Sequence, residues 1–77
     1  MKLSEFRFAV EQEFGAGYGA VVVGDLVMEA LGGRTANEAL AAGIPAREVW
    51  QALCEATDVP VERRHGPAVR EAGAGRG

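Results

Sequence analysis

Apolar positions recur at helical spacing through most of the first sixty residues. Leu3, Phe6, Val10 and Phe14 return every three or four places, and Ser4 is a good N-cap, so the spacing predicts a first helix over about residues 4–14, ended by Gly15. The glycine-rich stretch from Gly15 to Gly19 separates it from the next element. A second helix is predicted over about residues 18–31, with Val23, Leu26, Val27, Ala30 and Leu31 on one stripe and the Gly32-Gly33 pair as its stop. Val21 and Met28, seven places apart, form a further apolar strip. A helix apolar on most of its circumference sits at the centre of a fold or meets a partner. The run Val21-Val22-Val23 also suits a short strand, but nothing nearby offers it a pairing strand.

Thr35 and Glu38 have capping-box spacing, each side chain answering a free amide at the start of a third helix, expected over about 36–42 and stopped by Gly43. Pro45 suits the first turn of a fourth helix, where a missing N–H costs nothing; this helix is expected over about 45–57, closed by Asp58-Val59-Pro60. From Val61 onward almost no large apolar side chain is present, and the chain ends in Gly/Ala alternation that cannot offset its ordering entropy. The expectation is an all-α bundle of about four short helices over residues 1–60, with a disordered tail over 61–77. The expected core takes Phe6, Val10 and Phe14 from the first helix and Val23, Leu26, Val27 and Leu31 from the second. Leu40, Val49, Trp50 and Leu53 complete it from the third and fourth.

Length narrows the picture. A chain of 77 residues is one domain, and domains of this size bury only roughly 60% of the surface of the unfolded chain, which leaves a thin core and little room for a catalytic cleft. The single Cys54 excludes an internal disulfide and suits a reducing compartment. The absence of a basic segment followed by an apolar run and a small-residue cleavage site points to the cytoplasm. No stretch approaches the ~20 apolar residues of a membrane span. Seven Arg against one Lys, with abundant Ala and Gly, fits the coding bias of a GC-rich bacterial genome.

The net charge of -3 is unevenly spread: residues 1–60 carry -5, and residues 61–77 carry +2. An acidic folded part repels polyphosphate and counts against nucleic-acid binding, which draws on cations that neutralise phosphates.

The residues that could carry chemistry are few. With one Ser, one Cys and one His in the whole chain, no nucleophile, base and orienting group can be assembled, so the expectation is a non-enzymatic protein with no catalytic residue. Ser4 is explained as a cap and Cys54 as a small hydrophobe beside Trp50 and Leu53. His65 lacks a second imidazole or thiolate for a zinc site, and no metal or other cofactor is expected. Asp25 and Glu29 at i,i+4 read as an exposed acidic ridge. The run Gly15-Ala16-Gly17-Tyr18-Gly19 lacks the spacing and the Lys-Ser/Thr pair of a phosphate loop and is explained as a linker.

Residues 36–57 also have helix-turn-helix spacing: Ala39, Gly43, Ile44, Val49 and Ala52 stand where such motifs place a small residue, the turn glycine and core residues. The outer face of the would-be reading helix, however, presents Arg47, Glu48, Gln51, Glu55 and Asp58, an adverse charge set for a groove lined by phosphates. Packing architecture is therefore the favoured reading, and nucleic acid is a disfavoured partner. Phe8 lies off the apolar stripe of the first helix, flanked by Glu5 and Gln12. Arg34, after the Gly-Gly stop, is placed to satisfy carbonyls at the end of the second helix or to pair with Glu29. The candidate interaction surface thus comprises Phe8, Val21, Met28, Arg34, Arg47 and Gln51. The expected partner is another protein, or a second copy of the chain meeting it through Val21 and Met28.

Several residues together carry a more specific likeness. Leu31-Gly32-Gly33-Arg34-Thr35, Glu38-Ala39-Leu40, Gly43, Val49-Trp50, Ala52-Leu53-Cys54 and Asp58-Val59-Pro60 form one set, and Leu3, Glu5-Phe6, Phe14-Gly15, Tyr18 and Asp25-Leu26-Val27 extend it toward the start. This pattern resembles the actinobacterial domain-of-unknown-function family DUF3046 over nearly all of residues 1–60. The resemblance implies a short cytoplasmic helical domain with no assigned activity. Members are often encoded near the homologous-recombination recombinase and its regulator, which implies an accessory role in DNA repair as an alternative. Relatives often carry a His after the aspartate where this chain has Leu26.

Overall fold

The computed structural model describes residues 1–64, and within them four α-helices and two short 3-10 turns follow one another. Helix α1 spans Leu3–Phe14, one residue earlier than Ser4 capping predicts. Lys2 is the N-cap in extended conformation, and its amide donates to Glu5 Oε1 at 2.8 Å, so Ser4 lies inside the first turn. Phe6, Ala9 and Val10 are buried at i, i+3 and i+4, the inward stripe of the helix, and Phe14 is half-buried at its end.

The break after α1 is narrower than the glycine run suggests. Gly15 alone makes it, at φ 85 and ψ 158, a region open essentially only to glycine; its N–H closes α1 onto Glu11 O and its own carbonyl accepts from Gly19. Helix α2, Ala16–Asp25, therefore already contains Gly17 and Gly19. A Cβ on Gly19 would stand 2.9 Å from Val10 Cγ1, so the missing side chain is what lets α1 and α2 close together. That packing outweighs the weak helix propensity of glycine. The valine run is helical, not a strand.

Helix α2 also stops earlier than the expected 18–31. Leu26 is its C-cap in extended conformation, and Val27 and Met28 continue extended before a 3-10 turn at Glu29–Leu31. Met28 N donates to Arg34 O at 3.0 Å and its carbonyl accepts from Gly33, so an antiparallel bridge takes the place of two helical turns. Successive side chains of extended backbone point to opposite sides. Hence Val27, expected in the core, is 59% exposed, and Met28, expected on the surface, is 3% exposed.

Helix α3, Ala36–Ala41, opens with the expected capping box: Glu38 N donates to Thr35 Oγ1 at 3.1 Å and Thr35 N to Glu38 Oε1 at 2.9 Å. It ends in a Schellman turn, with Ile44 N donating to Ala39 O, Gly43 N to Leu40 O, and Gly43 at φ 91. Helix α4, Ala46–Ala56, follows Pro45 as N-cap and supplies Val49, Trp50, Ala52, Leu53 and Cys54 to the core. Phe6 meets Trp50 edge-on at 6.3 Å, joining α1 to α4. Of the remaining expected core, Leu31 is buried, and Val23, Leu26 and Leu40 are half-buried around the cluster.

Val61–Arg63 forms the second 3-10 turn and folds back on α4. The indole N–H of Trp50 donates to the carbonyl of Arg64, Arg64 Nε donates to Val59 O at 2.7 Å, and Arg63 pairs with Glu13 at 2.9 Å. These are the first residues of the expected disordered tail; its remainder, from His65 on, lies outside the described residues.

Candidate interaction surface

The six surface candidates do not form one face. Val21 is 52% and Phe8 48% exposed, but on different helices, while Met28 is inside and cannot join Val21 in a contact strip. Arg34 is exposed, and its Nη1 donates to Leu31 O at 3.1 Å, a carbonyl of the 3-10 turn and not of the end of α2, where the contact was expected. Arg47 and Gln51 are exposed at i,i+4 on the outside of α4, beside Glu48 and Glu55.

The surface that the fold itself builds lies elsewhere. A groove of about 540 Å³ runs between the C-terminal ends of α2 and α4, lined by Tyr18, Val21, Val22, Asp25 and Leu26 on one side and Ala56, Thr57 and Asp58 on the other. Val22 is buried and Leu26 half-buried, so they form its floor. Tyr18, 62% exposed, stands at its edge with its ring against Phe14 at 6.1 Å.

Asp58 owes its position to the end of α4. Val59 N donates to Cys54 O at 2.9 Å and Asp58 N approaches Glu55 O at 3.4 Å, the same Schellman arrangement that ends α3. Asp58 occupies the left-handed position at φ 60 and is, among the described residues, the only non-glycine with positive φ. Val59 turns inward and is buried. Thr57 Oγ1 donates back to Leu53 O at 2.8 Å.

A second hollow, of about 290 Å³, lies between α1 and α2 beside Asn37. Its charges, Arg7 and Glu11, are of opposite sign, and Phe6, Val10, Gly19 and Val23 form its apolar wall. Among the described residues no three His, Cys, Asp or Glu side chains gather as a metal ion needs, and no helix is long and apolar enough to cross a membrane. Cys54 is fully buried, and burial pushes its thiol up to about 11, against a lowering effect of Arg64 and with further raising by Glu13 and Glu55. A buried thiol held protonated in this way packs as a small apolar side chain.

Of the groove residues, sequence reasoning singled out only Val21 as a surface contact. Tyr18, Asp25 and Asp58 were visible as types, but their meeting depends on how α2 and the end of α4 are placed around the shared groove. The one local signal was Asp58 at a helix stop where glycine or asparagine is the easier residue.

These features define a small all-α domain whose helices are tied by short glycine and Schellman turns. The model of the family described as "Protein of unknown function (DUF3046)" matches residues 1–62. The chain belongs to that family. No curated protein and no solved structure gives a significant match.

Proposed function

We propose that this protein is a non-enzymatic interaction module of the cytoplasm that holds a protein partner on the outer side of α2. The observation that carries the reading is the exposure of Tyr18 and Val21 at the rim of a groove whose floor is apolar. A domain this small gains by covering such side chains, since buried apolar area stabilises by roughly 25 cal/mol per Å². Self-association is one form of the same reading, with Tyr18 and Val21 in place of the strip that Met28 would have completed. The burial of Cys54 supports a role without nucleophilic catalysis.

The test is a photo-crosslinking residue at Val21, with Gln51 as a control position, followed by mass spectrometry of adducts in the native cell. A discrete adduct at position 21 and none at 51 is expected; crosslinks at 51 alone, or at neither, would overturn the reading.

A second reading, a helix-turn-helix-like nucleic-acid-binding or DNA-repair-associated regulator, draws on the arrangement of α3, the Gly43 turn and α4, with Ala39, Val49 and Ala52 buried as in such motifs. Glu48 and Glu55 beside Arg47 and Gln51 weigh against it. Titration of labelled duplex at low salt decides between the two.

A further inference from the structure

The groove between α2 and α4 has a charge that its apolar floor does not explain. Asp25 is the last residue of α2, and Asp58 follows the end of α4, so two helix C-termini and two carboxylates open on the same groove. Helix C-termini carry partial negative charge and ordinarily attract Lys or Arg, yet neither α2 nor α4 has a basic residue in its last turn. Among the described residues no cation lines the groove. Of the nearest ones in sequence, Arg63 pairs with Glu13 and Arg64 reaches Glu55 at 4.0 Å. Among the described residues neither aspartate has an ion pair.

The arrangement is adverse to the isolated domain. Asp58 adds a carboxylate at a helix C-terminus and occupies a left-handed conformation that glycine adopts freely. Among the described residues no cation answers either aspartate, so a favourable partner for both lies beyond them. We infer that this groove binds a short basic segment of a partner protein. An apolar side chain of that segment covers Val22 and Leu26 between Tyr18 and Thr57, while an Arg or Lys reaches Asp25 and Asp58. Charge complementarity selects the occupant: a neutral apolar segment leaves both carboxylates against a low-dielectric contact, and an acidic one is repelled. The inference rests on the interaction-module reading and specifies its partner.

The experiment is selection of random displayed peptides on the immobilised protein, followed by amide-shift mapping of an enriched peptide by NMR. Enriched peptides are expected to combine Arg or Lys with a large apolar residue and to move the amides of Tyr18, Val21, Asp25, Leu26, Thr57 and Asp58. Asp25→Asn and Asp58→Gly should each weaken binding roughly fivefold, the size of an exposed charge pair converted at tenfold per 1.4 kcal/mol. Asp58→Gly should at the same time raise the melting temperature, so its loss of binding cannot come from unfolding. Enriched peptides that are neutral or acidic, that bind elsewhere, or that tolerate both substitutions would overturn the inference, as would the absence of enriched peptides. If crosslinking at Val21 still yields a partner indifferent to Asp25→Asn and Asp58→Gly, the broader reading stands while this one falls.

Discussion

The ends of α3 and α4 are the same turn made from different residues. Both close with a residue in left-handed conformation followed by an apolar side chain turned inward, Gly43 with Ile44 in one case and Asp58 with Val59 in the other. At the first end the residue type agrees with the backbone and carries no charge. At the second the residue tolerates the backbone less easily than glycine and opposes the helix dipole, and that end lines the groove while the first does not. Where local chemistry departs from what stability alone favours, binding is the natural place to look for the reason.

The largest loss of stability is expected at Gly43. Gly43→Val puts a β-branched side chain at φ 91 and should cost about 2 kcal/mol or more in chemical denaturation. Val59→Ala should cost roughly 2 kcal/mol through lost burial, and Ile44→Ala less, because Ile44 is only half-buried. Reversing that order would show that the α3 end, not the α4 end, anchors the core.

The α4 end should also respond to alkali. The buried Cys54 thiol has its pKa raised to about 11 from an ordinary 9.0, so between these values the unfolded chain loses a proton that the folded chain keeps. Stability from this group is fully present below pH 9 and falls as pH rises, by about 1 kcal/mol at pH 10. Urea midpoints measured across pH 8 to 10.5 should show the decline in the native chain, and Cys54→Ala should flatten it.

Asp58→Gly sharpens the contrast with the opposite sign. Removing the strained aspartate should stabilise the isolated domain by about 1 kcal/mol, raising its melting temperature by roughly 4–8 °C. The smallest effect is expected at Arg63: its own side chain is 58% exposed, although the Glu13 carboxylate it holds is only 16% exposed, and Arg63→Ala should cost up to about 1 kcal/mol.

Much of the fold was legible because its signals are local. The capping box at Thr35 and Glu38, the stop at Gly43 and the inward stripe of Val49, Trp50 and Leu53 each depend on residues within a few places of one another. The stretch from Gly15 to Leu31 was harder. Glycine in a linker and glycine at a close helix contact are the same letter, and only the approach of Val10 to Gly19 distinguishes them. Met28 reads as helical until its amide is paired with the carbonyl of Arg34, six residues away, and that exchange sends Val27 outward. The groove was the least legible part, because it belongs to neither α2 nor α4 alone.

The bond from the Trp50 indole to the carbonyl of Arg64 also sets where the domain can be cut. The donor lies in α4 and its acceptor fourteen residues further on, past the turn at Val61–Arg63. A chain ended at Pro60 would keep all four helices yet leave the indole N–H without this acceptor and Glu13 without Arg63. The smallest complete unit of this fold therefore reaches past its last α-helix, to Arg64.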